Sequence, residues 1–185
     1  MKKTSKVRVA IKKSLISLLA VNPIGQVSIK ELCEKAEISR AAFYKHFSDI
    51  NECISTIEEE FFEELQMRID SAYDNGVKID FRGAFTLIIE CLKEEPELYG
   101  VICSENCDMY FTTRMINFCR RYFEEGLKRK ESGTSDKFTG KAYMFYSQGC
   151  GGLLNGWIKD GMTEPAEELT GLAERLVSGV YGSLK

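Results

Sequence analysis

Arg40, Ala41, Tyr44 and Lys45 are the side chains left outside when the segment from Ser28 to Phe47 is read as two short helices joined by a tight turn. An arginine fork can hydrogen-bond the O6 and N7 of guanine, and an alanine leaves room for a thymine methyl group or for close approach to the groove floor. A tyrosine and a lysine beside them suit phosphate oxygens. Such residues in the first turns of a helix form a surface that enters a DNA groove. Catalytic chemistry is poorly supplied by comparison. The one histidine, His46, lies inside this same segment, so the rest of the chain has no imidazole. Gly149-Cys150-Gly151-Gly152 lacks the lysine and the preceding strand that a phosphate-binding loop needs. Cys103 and Cys107 stand one helical turn apart with Cys119 following, which leaves a thiolate metal site or redox sensor as an alternative input. Glu97, Glu105 and Asp108 read as helix-end and surface acids. No catalytic residue, metal or cofactor is expected.

The elements that hold the four side chains are written locally. Ser28 followed three residues later by Glu31 is a capping box, with Ile29, Leu32 and Cys33 on the inner face of the helix it starts. Ala36 is small where the two helices approach, Ile38 plugs the corner, and Ser39 caps a second helix whose apolar residues are Phe43 and Phe47.

The stretch from Ser28 to Phe47, and above all its ending Phe43-Tyr44-Lys45-His46-Phe47, resembles the DNA-binding domain of the tetracycline-repressor (TetR) family. The resemblance implies a helix before the pair and a fourth helix just after the aromatic end, leading into an all-helical regulatory domain. It also makes His46 a packing and capping residue. Lys3, Lys6, Ser28, Ser39, Arg40, Ala41, Tyr44, Lys45 and His46 are then the expected DNA-binding set. Two positions depart from the family pattern. Glu37 stands where the turn commonly has glycine, and Ile50 where a lysine commonly reaches a phosphate.

Charge is distributed to match. Residues 1–50 carry ten cationic side chains against four acids, a balance of +6, while the whole chain is at −3, leaving −9 for the remainder. A basic end on an acidic protein confines the electrostatic footprint for nucleic acid. A chain of 185 residues with 44% apolar side chains can bury a real core. Charges threaded through Val7 to Lys13 do not make a cleavable signal, and no apolar run approaches the roughly 18 residues of a membrane span. The seven scattered cysteines suit a reducing compartment. A soluble, cytoplasmic protein without membrane attachment is expected.

Apolar periods of 3.6 residues and the absence of β-type alternation predict an all-α chain of about nine helices. With the family resemblance, residues 1–50 are expected to form a helix-turn-helix DNA-binding domain, and residues 51–185 a ligand-sensing and dimerisation domain. Val7, Ile11, Leu15, Leu18 and Leu19 stripe the first helix, which stops near Asn22-Pro23. Asp49 caps a long fourth helix with Ile54, Ile57, Phe61, Phe62, Leu65 and Ile69 inside and Glu58, Glu59, Glu60, Glu63 and Glu64 outside, ended by Asn75-Gly76. Further helices run from Phe81 to about Lys93, from Pro96, and from a cap at Asp108 to about Lys130. Residues 131–135 form a loop, and the last two helices cover about 136–160 and 165–183.

Glycines at 149, 151, 152 and 156 inside a helix cost about 1 kcal/mol each relative to alanine. Gly149, Gly152 and Gly156 share one face, which admits either a close intrachain contact or a dimer interface. The dimer is favoured, with Trp157, Leu172 and Leu176 completing a four-helix bundle between protomers. The segment from Gly151 to Met162 is similar to the C-terminal domain of a TetR-type subgroup that includes an activator of dihydroxyacetone utilisation. The family resemblance also implies a ligand pocket in the body. Its available lining is Phe62, Phe85, Ile88, Tyr110, Phe111, Met115, Phe118, Tyr122, Tyr143 and Tyr146, together with Ile89 and Tyr99, each of which taken singly reads better as plain core. These features imply a DNA-binding transcriptional regulator, a repressor by default, that binds a near-palindromic double-stranded operator as a homodimer and answers to a small-molecule effector. The alternative from another class is a regulator of the same fold that acts through a partner protein without binding DNA.

Overall fold

A computed structural model describes residues 6–107, 110–130 and 136–182, with side chains described outside 126–139 and 180–182. Lys3, the expected cap at Asp108 and the expected loop at 131–135 lie outside the described residues. Among the described residues every regular element is helical: α1 Lys6–Leu19, α2 Ile29–Lys35, α3 Arg40–Tyr44, α4 Ile50–Asp74, α5 Phe81–Glu94, α6 Pro96–Ile102, α7 Phe111–Phe118, α8 Arg120–Lys130, α9 Asp136–Lys159 and α10 Ala166–Gly182. A short 3-10 turn, Ile24–Gln26, follows Pro23. The expected helix from 108 to 130 is divided in two at Cys119, whose N–H turns back to the carbonyl of Ile116 at 3.0 Å.

The chain forms two compact units. The first comprises residues 1–62 with the returning segment 97–109, and the second residues 63–96 with 110–185. Helix α4 is continuous and contributes residues to both.

In the first unit, Ile11, Leu15 and Leu19 of α1 are fully buried with Leu32 and Phe43 of α2 and α3. Burying a phenylalanine in this way contributes on the order of 2–3 kcal/mol. The returning segment is fastened by hydrogen bonds. The N–H of Ile24 donates to the carbonyl of Asn106 at 2.7 Å, and the Asn106 side chain donates to the carbonyl of Leu19 at 3.1 Å. Tyr99 packs its ring edge on Phe61 with centroids 5.2 Å apart. Asp49 caps α4 through the N–H of Glu52 at 2.8 Å. Glu58, assigned to the solvated face by its charge, is only 2% exposed. It stands four residues after Ile54 and three before Phe61, so the helical period carries it into the apolar stripe whatever its side chain.

In the second unit, α5 packs on α10 and α8, and α7 on α9. Phe81, Phe85, Phe123, Tyr143 and Tyr146 build an aromatic core in which Phe123 and Tyr146 stack with centroids 4.4 Å apart. Arg82 of α5 reaches Glu167 and Glu174 of α10, and Arg68 of α4 reaches Glu64 and Glu94. Gly76 at φ 76 and Gly161 at φ 78 end α4 and α9 in the left-handed region that favours glycine.

Candidate nucleic-acid interface

The helix-turn-helix forms through the caps its sequence specifies. The Ser28 hydroxyl accepts from the N–H of Glu31 at 3.2 Å, and the Glu31 carboxylate accepts from the Ser28 N–H at 3.0 Å and from its hydroxyl at 2.7 Å. Those bonds hold the Glu31 carboxyl below its ordinary range, the side-chain bond most of all. The stabilisation is therefore present above the ordinary carboxylate pKa and is lost as pH falls through the lowered value. Ser39 caps α3 by accepting from the N–H of Ala42 at 3.1 Å. Ser28 thus spends its hydroxyl on the first helix start.

The turn between the helices adopts a backbone that glutamate resists. Glu37 sits at φ 54, the left-handed region, where a residue with a Cβ pays roughly 1–2 kcal/mol. Glu37→Gly removes that strain while adding about 0.4–1 kcal/mol of unfolded-chain entropy, so a net gain of up to about 1.5 kcal/mol is expected. Urea denaturation of the two proteins checks this, and a variant less stable than wild type contradicts it.

Arg40, Ala41, Tyr44 and Lys45 are all exposed on and beside α3, and Lys6 is exposed at the start of α1. Arg40 and Lys45 make no side-chain hydrogen bond or ion pair among the described residues, so both cations are available to an external partner. Behind them, Phe43 is fully buried and packs against Tyr44 and Phe47 at 5.6 and 6.0 Å between centroids. His46 is half-buried with its ring 6.5 Å from that of Phe47, which fits a packing role. Ile50 is 8% exposed, so the start of α4 presents packing where the family commonly presents a cation.

The body residues separate into core and surface. Phe85, Ile88, Ile89, Phe111 and Met115 have no exposure, and Tyr122, Tyr143 and Tyr146 are buried with them in the second unit. Phe118 is half-buried, and Tyr110 is 75% exposed, which removes it from any enclosed lining. Phe62 and Tyr99 belong to the first unit. Among the polar groups at the aromatic cluster, the Tyr143 hydroxyl donates to Asn117 at 2.6 Å and the Tyr122 hydroxyl accepts from Arg121 at 2.5 Å. Burial pushes both phenols above their ordinary range. An open surface depression of about 620 Å³ lies along α10, lined by Arg82, Glu167, Leu172, Glu174 and Arg175 among others.

Five cysteines are buried thiols. Burial raises Cys53 and Cys150 to about 12 and Cys91 to about 11, and pushes Cys119 further up. That suits packing rather than thiolate chemistry.

On α9 the glycine face is open within the protomer. Among the described residues a Cβ at Gly149, Gly152 or Gly156 would meet no atom within 4 Å, so no contact with them accounts for the missing side chains. Leu172 and Leu176 of α10 are 37% and 53% exposed. Trp157 is placed differently from expectation. It is 3% exposed, and its indole N–H donates to the carbonyl of Glu164 at 3.2 Å, so it pins the α9–α10 turn inside the protomer. Phe145, 71% exposed, was missed by the sequence reading although it stands one turn before Gly149 in the same spacing.

No helix among the described residues is long and apolar enough to cross a membrane. Comparison with known proteins agrees with the helix-turn-helix. The family of bacterial regulatory proteins of the TetR type matches residues 14–57, and the transcriptional regulator C-terminal region TetR_C_8 matches residues 80–179. The HTH-type dhaKLM operon transcriptional activator DhaS of Lactococcus lactis subsp. lactis (strain IL1403) is 25% identical over 138 residues, covering 74% of this chain and 71% of that protein. The solved structure of a dihydroxyacetone kinase operon activator DhaS superposes with a TM-score of 0.66 at 18% identity, over 97% of this chain and 98% of that one. A TetR transcriptional regulator from Streptococcus agalactiae 2603V gives 0.66 at 19% identity over 93% of each chain. With the C-terminal match alone spanning more than half of its length, the chain belongs to the TetR family of transcriptional regulators, and is a regulator rather than an enzyme.

Proposed function

We propose that the protein acts in the cytoplasm as a homodimer that binds a near-palindromic operator through the head of residues 1–50, under the control of a small molecule held by the body of residues 51–185. The observation that carries the DNA-binding part is the capped α2–α3 pair with Arg40 and Lys45 exposed and unengaged among the described residues. Arg40 reads a base, and Tyr44, Lys45 and Lys6 hold phosphates. The exposed glycine face of α9 with Leu172 and Leu176 supports the dimer. The effector is fairly apolar with one or two hydrogen-bonding groups, which the tyrosine hydroxyls of the aromatic cluster can meet. Helix α4, shared by both units, is the element through which it acts on the head. Coupling of this kind is reciprocal, so operator lowers effector affinity by the factor that effector lowers operator affinity.

Repression is the default sign, although the relative from Lactococcus lactis is named an activator. A reporter fused to the selected operator decides the sign. The test of the function is a binding selection from random duplexes. Enrichment of two half-sites related by two-fold symmetry, about 34–36 Å apart or a multiple of that, is the expected result. A second reading, action through a partner protein without DNA, is favoured only by the buried Ile50 and the strained Glu37. A selection that enriches no sequence decides for it.

A further inference from the structure

Glu60 lies on the exposed side of α4, yet cations of α1 take both of its oxygens. Arg8 Nη2 donates to Oε1 at 3.2 Å and Lys12 Nζ to Oε2. Arg8 and Lys12 are four residues apart and so share a face of α1. On its other side the Arg8 guanidinium lies over the Phe47 ring, 5.3 Å from the centroid, with its Nε enclosed. Phe47 in turn packs on Phe43, the buried residue of α3. A continuous path of contacts therefore runs from Glu60 through Arg8 and Phe47 to the back of the helix that carries Arg40, entirely within the first unit.

We propose that Glu60 is a positioning residue for sequence recognition. It fixes α1 and, through Arg8 and Phe47, the setting of α3, and it holds two of the head's ten cations away from phosphate. The proposal rests on the DNA-binding reading above. The side chains are 20–44% exposed, a setting in which ion pairs add little to folding stability. The consequence falls on recognition instead. Each freed cation that reaches a phosphate steepens the logarithmic salt dependence of DNA binding by about 0.9, and it does so on every sequence alike.

The test is Glu60→Gln in the full chain, titrated against the selected operator and an unrelated duplex across a range of salt. Tighter binding to the unrelated duplex, a steeper salt slope and a several-fold loss of operator preference are expected, with helix content unchanged by circular dichroism. A merely structural role lowers both affinities together with the folded fraction, and that outcome overturns the proposal. Arg8→Met, which keeps an apolar stem over Phe47, should reduce preference and leave the slope as it is. A slope shallower by about one in Arg8→Met places Arg8 on a phosphate and also overturns it. Wild-type preference retained unchanged in Glu60→Gln removes the role of Glu60 alone, whereas a wild-type protein with no operator preference removes the DNA-binding reading.

Discussion

Gly152→Leu is expected to sediment as a folded monomer and to bind operator roughly 100-fold or more weakly than wild type. The expected loss follows from bivalency. A dimer places its second recognition helix at a high effective concentration beside the second half-site, an advantage of about 10²–10⁴ that a monomer forfeits. The fold should survive because a Cβ at Gly152 meets no atom of the described residues within 4 Å, and leucine is the better helix former by about 0.5–1 kcal/mol. In the proposed dimer, bulk added there is felt by a helix from outside the protomer. Gly156→Leu, one turn further on the same open face, should behave alike. A Gly152→Leu protein that sediments as wild type and keeps wild-type operator affinity puts the subunit contact on another surface. A variant that loses its helix content shows that the glycine face serves the protomer.

Arg40→Ala is expected to cost about 1–3 kcal/mol on the operator, or about 5- to 150-fold, and to relax preference at one base pair in each half-site. Arg40 is exposed in the first turn of α3, where a recognition helix meets base edges, and its guanidinium has no competing hydrogen-bond partner among the described residues. Lys45→Ala, at the far end of the same helix, should weaken all sequences by a similar factor and reduce the salt slope by about one. Binding selections repeated on both variants separate base reading from phosphate anchoring. An Arg40→Ala protein with wild-type sequence preference takes Arg40 out of the base-reading role, and a Lys45→Ala protein with changed preference gives that role to Lys45.

What the sequence determined by itself is local. Ser28 with Glu31, Ser39, Asp49 and Asn75-Gly76 mark helix ends through bonds between residues a few positions apart, and those ends stand where the chain punctuates itself. The period of apolar residues likewise determined the buried stripes of α1 and α4, because a helix turns every 3.6 residues regardless of what it packs against. That same geometry outweighs charge, since Glu58 falls inside the apolar stripe although its carboxylate favours the solvated side. Tertiary structure decided what depends on neighbours distant in the chain. Whether Glu37 could keep φ negative was a question for the packing of α2 on α3, and the packing required φ 54. The glycines of α9 admit a close intrachain contact beside the favoured external face, and only the surroundings of each Cβ among the described residues separate the two. Trp157 and Tyr110 exchanged their expected surroundings, the indole folding inward onto the Glu164 carbonyl and the phenol facing out, because a lone aromatic residue carries no periodic signal of its side. The pairing of Glu60 with Arg8 and Lys12 spans some fifty residues of sequence, and only the packing of α1 against α4 brings those charges together.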